Sequence, residues 1–319
     1  PYFFKDIPDP RRAQGRRHPL PTVLAIATGA ILCGMRGYQA IYDWANGLGQ
    51  KARERFNCRR EKGRYLVPSL SVIRDVMIRV DPVHLDSALQ RWNHVYGEED
   101  QSLAIDGKTM RNAMDEEGGQ THIISVVGHQ SKASYTQKKS AFAQEGDEEL
   151  KRTNEIGMAI PLLDAIDIRD KDITADALLT QRKLADYICL ERNAHYHFIV
   201  KANQPTLLQD IQLYFHDRKE PDFITHDPPD HGRIETRKIW TTTELNHYLD
   251  FPHVGQVFVI ERESVEKKTG KTSHDIAYGI TSRKPDEANA QQLLTINRNH
   301  WSIENSCHYI LDWTFDEDR

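Results

Sequence analysis

Cysteine is scarce and never clustered. Cys33, Cys58, Cys189 and Cys307 lie far apart and form no CxxC pair, which excludes a disulfide framework and a thiolate zinc module as organising devices and leads us to expect reduced thiols. Long apolar runs are missing too. The most apolar stretch, Leu20 to Met35, is interrupted by Pro21, Thr22, Thr28 and Gly29; it is too short and mixed to cross a bilayer and reads as a buried helix. No apolar segment follows a basic start, so no secretory signal is visible, and a cytoplasmic setting with no membrane partner is expected. Internal repeats and low-complexity segments are also lacking. The 319 residues are 39% hydrophobic and 28% charged, which fits a soluble globular chain with one main core and smaller attached modules.

The net charge of −5 is unevenly distributed. Residues 1–65 hold 13 Lys/Arg against 5 Asp/Glu, a local balance of +8, which leaves −13 for the remainder. A basic module able to touch phosphates beside an acidic body able to hold cations is one reading of that asymmetry, and a solvated basic face is the other.

Two kinds of periodicity divide the chain. An arm rich in proline and charge, Phe3 to Arg12, precedes helical spacing from Pro21 to about Asn46, from Ser69 to Arg79, and after Asp81-Pro82, where Asp81 is placed to cap the helix. From residue 102 the pattern becomes β-prone, with strands at 102–105, 122–127 and 133–138. A helix at 155–166, a strand at 172–176, a helix at 181–191 and a strand at 195–200 follow. This βββαβαβ order predicts a mixed sheet covered by helices. Residues 205–274 read as a β-rich insertion, after which a strand at 275–281 and a long helix at 287–313 close the fold. The expected domains are 1–98, helical and basic, and 99–319, α/β.

Three carboxylates draw attention because each sits in a different local structure. Asp106 follows Ala104-Ile105, Asp176 follows Ile173-Thr174-Ala175, and Glu304 lies in the helical pattern His300-Trp301-Ser302-Ile303-Glu304-Asn305. Two strand acids and one helix acid can converge on a pair of divalent ions. Phosphodiester chemistry uses such ions to activate water and to absorb charge on the attacking and leaving oxygens, and Mg²⁺ or Mn²⁺ prefers hard oxygen ligands. Taken singly, each acid has an ordinary explanation: a strand Asp more often caps a turn, and a helix Glu more often faces solvent. Helical stepping places Ile296, His300, Ile303, Cys307 and Ile310 on one stripe, and Asn297, Trp301, Glu304 and His308 on the adjoining one.

The neighbouring segments carry a resemblance. Ala-Ile-Asp-Gly-Lys-Thr from 104, Thr-Asn-Glu-Ile at 153–156, Ile-Thr-Ala-Asp-Ala-Leu from 173, Val-Lys-Ala-Asn-Gln-Pro at 200–205, His-Gly-Arg-Ile-Glu-Thr-Arg at 231–237, His-Trp-Ser-Ile-Glu-Asn from 300 and the segment 311–319 together resemble the ISAs-type, or H-repeat-associated, insertion-sequence transposases. The resemblance runs in order over nearly the whole chain. It implies a DDE catalytic domain of ribonuclease-H-like fold with flanking helices, interrupted by a β-rich insertion and preceded by an N-terminal helical domain. Asp106, Asp176 and Glu304 would be the catalytic, metal-binding residues for two Mg²⁺ (or Mn²⁺) ions. The implied activity is hydrolysis at the ends of an insertion sequence followed by strand transfer, performed by a homo-oligomer on double-stranded DNA that includes terminal inverted repeats and target DNA. The implied location is the bacterial cytoplasm, at the nucleoid when DNA is bound. Candidate DNA contacts are Lys108, Lys201, Asn203, Gln204, His231, Arg233, Arg237 and Arg298, with a structural ion pair as the competing role for Lys201 and Arg237.

Two departures stand out. Many related enzymes carry Arg four residues before the last acid and Lys seven after it, whereas His300 and Leu311 occupy those places here and leave Arg298 and Lys201 as substitutes. The chain also stops at Arg319, where family members usually continue. A transposase-derived DNA-binding regulator, or a metal-dependent nuclease that cleaves without joining, are the alternatives.

Overall fold

The computed structural model describes residues 2–96, 100–114, 120–139, 148–227, 232–301 and 303–313. The chain divides into two compact units between residues 98 and 99, with 311–313 counted in the first.

The first unit is helical. Pro21 pre-sets the first turn of α1 (Leu20–Leu32), which buries Val23, Leu24, Ile26, Ala27 and Ala30. The single helix expected from Pro21 to Asn46 is two, because Gly34 and Gly37 both take φ of +79° and turn the chain before α2 (Gly37–Gly47). α3 (Gln50–Arg55) leads to a hairpin of β1 (Arg60–Glu61) and β2 (Arg64–Tyr65), whose turn residues Lys62 and Gly63 both have positive φ. α4 (Leu70–Arg79) and α5 (Pro82–Tyr96) complete the unit, and the Asp81 carboxylate accepts the Val83 N–H at 2.8 Å, as a cap should. The N-terminal segment is not a free arm. Phe4 and Ile7 are buried with Leu20, Val23 and Ile73, while Arg11, 3% exposed, is held by Asp9 and by the His18 carbonyl. Among the described residues no single helix is long and apolar enough to cross a membrane.

The second unit is built on one mixed sheet. Its strands are β3 (Ser102–Met114), β4 (Gln120–Gly128), β5 (Ser134–Lys139), β6 (Asp172–Ala175), β7 (His195–Val200), β8 (Phe223–His226), β9 (Arg233–Thr242), β10 (Gln256–Glu266) and β11 (Thr272–Thr281). They lie in the order β5-β4-β3-β6-β7-β11-β10-β9-β8, with β3, β6 and β7 parallel and the other pairs antiparallel. The helices are α6 (Glu148–Leu163), α7 (Arg182–Asp186) continued by a π turn at Tyr187–Glu191, α8 (Pro205–Tyr214), α9 (Ala290–His300), a second π turn at Ile303–His308, and α10 (Tyr309–Trp313).

This arrangement sharpens one expectation and corrects another. The 205–274 stretch is rich in strands, as expected; it opens with α8, and β8, β9 and β10 extend the main sheet beyond β11. β10 is apolar from Val257 to Ile260, with Val257 and Val259 packed into one core and Phe258 and Ile260 into the other. The closing helix expected over 287–313 is broken at Trp301 and continues as a π turn.

The two faces of the sheet are covered differently. Leu103, Ile105, Ile124, Val126, Ile173, Ala175, Tyr196, Phe198, Val257, Val259 and Ile280 form one face and pack with α6, α7 and α8 into the largest core. The opposite face receives α9. Its Leu293 and Leu294 pack with Ile239, Phe258 and Ile260, and the π turn after it places Ile303 and Cys307 against Ala104 and Val127. An Asn289–Gln292 capping box fixes where α9 begins.

Candidate active site

Strand pairing brings the two strand acids together. Ile105 of β3 is in register with Ala175 of the parallel neighbour β6, so Asp106, inside β3, and Asp176, the residue just after β6, stand side by side on adjacent strands. Neighbouring strands run about 4.7–4.9 Å apart. Side-chain alternation puts both acids on the face that carries Ala104 and Thr174, beneath the closing helix. Asp106 is 23% exposed; its Oδ1 accepts the Gly107 N–H at 2.9 Å and its Oδ2 lies 3.5 Å from His308 Nδ1. Asp176, 55% exposed, caps the 3₁₀ turn at Ala177–Leu179 by accepting the Ala177 N–H at 2.6 Å, and it is paired with Lys201 Nζ at 3.3 Å.

Glu304 arrives from the other direction. It is exposed, and it sits in the π turn four residues before His308. Ile303 and Cys307, buried on Ala104 and Val127, pin this turn to the sheet, and His308 carries the same turn to Asp106. Spacing of about one turn puts Glu304 on the His308 side of the segment. Single π turns inside helices are rare and often mark functional sites. Among the described residues no three Asp, Glu, His or Cys side chains are gathered tightly enough to hold an ion as they stand.

Beneath the acids lies a polar node absent from the sequence-based site. Thr174 Oγ1, on a residue 1% exposed, donates to the Leu103 carbonyl at 3.2 Å and stands 2.9 Å from both His129 Nε2 and His300 Nδ1. A hydroxyl has one proton to give, so both imidazoles donate to it. Burial pushes His129 down to about 3, helped by His300 and Lys132. Burial likewise pushes His300 down to about 4, with Asp176 opposing and Lys201 assisting. Both rings are therefore neutral at pH 7, each with its one N–H directed at Thr174. In the next strand His197, 2% exposed, is stacked 4.4 Å from the Phe258 ring. Gly279 makes room for that ring, since a Cβ there would come within 2.1 Å of it.

The other candidates are dispersed. Lys108 is on β3 two residues beyond Asp106. Asn203 Nδ2 donates to the Ala177 carbonyl and Gln204 Nε2 to the Thr180 carbonyl, so both brace the turn that follows Asp176. Arg237 is ion-paired with Asp227 and Glu235 and is 13% exposed. Arg298 joins the same Asp227 at 2.7 Å. Arg233, exposed, begins β9, and His231 lies outside the described residues. Of the proposed basic substitutes, Lys201 reaches an acid of the site, and Arg298 is held by Asp227. Sequence reasoning missed Thr174, His129 and His308. Helical stepping did put His308 on the Glu304 stripe, and Thr174 stands inside a quoted motif; nothing around His129 marked it.

The family model described as DDE_Tnp_1-associated matches residues 2–93, and the model described as Transposase DDE domain matches residues 99–319. A protein of Xanthobacter autotrophicus, described as the uncharacterized protein in the dhlA 3′ region, is 28% identical over 89% of this chain and 94% of its own length. The Escherichia coli K12 protein named "H repeat-associated putative transposase YhhI" is 26% identical over 98% of this chain and 82% of its own. Among solved structures, a piggyBac transposase synaptic complex with hairpin DNA is similar at a TM-score of 0.42 and 9% identity, covering 94% of this chain and 59% of that one. With the catalytic-domain model spanning most of its length, the chain belongs to the DDE transposases.

Proposed function

We propose that this enzyme hydrolyses a phosphodiester at each end of an insertion sequence and joins the freed 3′-hydroxyl to target DNA, using Asp106, Asp176 and Glu304 as its acids. The observation that carries the reading is the β3–β6 register, which sets Asp106 and Asp176 next to each other from 70 positions apart in the chain. The strand order β5-β4-β3-β6-β7, with three antiparallel strands followed by two parallel ones, supports a ribonuclease-H-like catalytic core.

The donor set suits hard divalent ions. Both strand carboxylates are partly exposed, and each already faces a basic group, His308 for Asp106 and Lys201 for Asp176, so this cleft is arranged around cations. Asp106, Asp176 and Glu304 would hold two Mg²⁺ or Mn²⁺ ions, which when bound supply an activated nucleophile and charge stabilisation at the leaving oxygen. The protein's own part is orientation. Gly107 N–H fixes the Asp106 rotamer, Ala177 N–H and Lys201 fix Asp176, and Asn203 and Gln204 stiffen the turn behind it. Lys108, Lys201, Arg233 and the basic residues 1–65 would contact the phosphates of double-stranded DNA, in a homo-oligomer that pairs the two ends.

The test is cleavage of a duplex bearing the element's terminal repeats, in Mg²⁺ or Mn²⁺. Asp106→Asn, Asp176→Asn and Glu304→Gln are each expected to abolish cleavage while DNA binding persists, and full activity in any one of them removes that acid from the mechanism. Joined products distinguish strand transfer from cleavage alone.

A further inference from the structure

We propose that the Thr174 hydroxyl, acting through His300, is the positioning group that sets Glu304 over the two strand acids; the proposal rests on the acid assignment above. Three elements end on this one oxygen. Leu103, three residues before Asp106, accepts its proton. Thr174 itself lies two residues before Asp176 in extended backbone, and therefore on the same face. His300, four residues before Glu304, donates Nδ1–H to it at 2.9 Å. His129, just beyond β4, supplies the third hydrogen bond at 2.9 Å. Each acid of the site is thus within a few residues of a bond to a single buried atom.

Apolar packing alone does not fix that relation. Leu293, Leu294 and Ile303 hold the closing helix to the sheet, but hydrophobic contact is non-directional and tolerates small slides and rotations. A buried hydroxyl with its proton committed to Leu103 and its two lone pairs filled by two N–H donors is directional, and it is costly to leave partly satisfied. The bond falls at His300, the last residue of α9 before the chain turns at Trp301 and enters the π turn. This bond orients the entry to the π turn, which Ile303, Cys307 and His308 then hold against β3. Among the described residues His300 is the side chain of the closing helix that bonds to β6.

Thr174→Val keeps the shape and β-branching of the residue and removes the hydroxyl, and Thr174→Ser restores the hydroxyl. Full-length variants are compared in three measurements: Mn²⁺ binding to the DNA-free protein by electron paramagnetic resonance, DNA binding, and single-turnover cleavage of terminal-repeat DNA. Thr174→Val is expected to weaken Mn²⁺ binding about tenfold and slow cleavage about a hundredfold, the scale of a 1 Å misplacement, with DNA affinity unchanged and Thr174→Ser near wild type. His300→Leu is expected to behave like Thr174→Val, while His300→Gln, which keeps an N–H donor, recovers most activity; this pair carries the test if Thr174→Val does not fold. Wild-type Mn²⁺ affinity and cleavage in Thr174→Val, or in His300→Leu, would overturn the proposal. Asp106→Asn is the control arm: an inactive Asp106→Asn beside a fully active Thr174→Val removes only the positioning role, whereas an active Asp106→Asn removes the acid assignment itself.

Discussion

The two faces of the nine-stranded sheet are made of different material. One is continuously apolar from Ile124 through Ile105, Ile173 and Phe198 to Ile280, with Tyr196 and Phe198 stacked at 4.7 Å. The other, in the same strands and one residue out of phase, carries Asp106, Thr174, Asp176 and His197. Burial of apolar area stabilises the first face at roughly 25 cal/mol per Å². The second face gains less from burial and must satisfy each polar group it covers. Parallel strands buried on both sides usually read as unbroken apolar runs. In β6 and β7 that rule is broken at Thr174 and His197, and the departure occurs where the acids emerge.

If the faces have separate tasks, substitutions should separate chemistry from stability. The largest effect is expected for Asp176→Asn, a loss of about a thousandfold or more in cleavage, equivalent to about 4 kcal/mol of transition-state stabilisation. Its melting temperature should change little, because the group is half exposed. Phe198→Ala, on the apolar face, should do the reverse: a destabilisation of about 3–5 kcal/mol in denaturant titrations, with the folded fraction retaining its turnover. A stable but inactive Phe198→Ala would show that the faces are not independent.

A smaller effect is expected at the sheet's margin. Asp100, fully buried, accepts the Gln130 N–H, the Ser131 N–H and hydroxyl, and the Tyr135 hydroxyl, which ties the β4–β5 turn to the start of β3. Burial raises its carboxyl, but those hydrogen bonds outweigh it and the net direction is downward from 3.8. Its contribution is therefore full above about pH 4 and is lost as pH falls through the lowered folded value. Asp100→Asn should cost about 1.5–3 kcal/mol at pH 7, and the gap from wild type should narrow in more acid solution. The smallest effect is expected for His197→Phe. Burial pushes His197 from 6.5 down to about 3, so the unfolded chain takes up a proton that the folded one refuses, and stability falls between pH 6.5 and about 3. The variant should lose stability less steeply across that window; an unchanged slope would place the acid sensitivity elsewhere.

Much of this was legible in the residues. The βββαβαβ order, the strand end before Asp176 and the Asp81 cap follow from local pattern, whereas β3 runs past Asp106 to Met114, beyond the strand expected over 102–105. The broken closing helix was not, because the apolar stripe Ile296, His300, Ile303 and Cys307 steps like a regular helix and π turns have no strong sequence signature. Residues 205–274 read as β-rich, and β8, β9 and β10 lie there, but local pattern tells neither which edge of a sheet such strands join nor that the stretch opens with α8. The pairing of Arg237 with Asp227, ten positions away, is likewise not written in any local pattern. Thr174 and His129 meet through a bond between residues 45 positions apart, and no local pattern records such a meeting.

The parallel pairing of β3 with β6, and the late position of the closing helix, also govern when the proposed site can exist. Glu304 is translated nearly two hundred residues after Asp106. At elongation rates of about 5–20 residues per second, that is a delay of roughly 10–40 s. A growing chain that has already folded its first three sheet strands displays one acid, then two, and has no third. On the proposed acid assignment, a molecule whose synthesis has not passed Glu304 lacks one of its three acids, and cleavage of the DNA beside it waits for that residue.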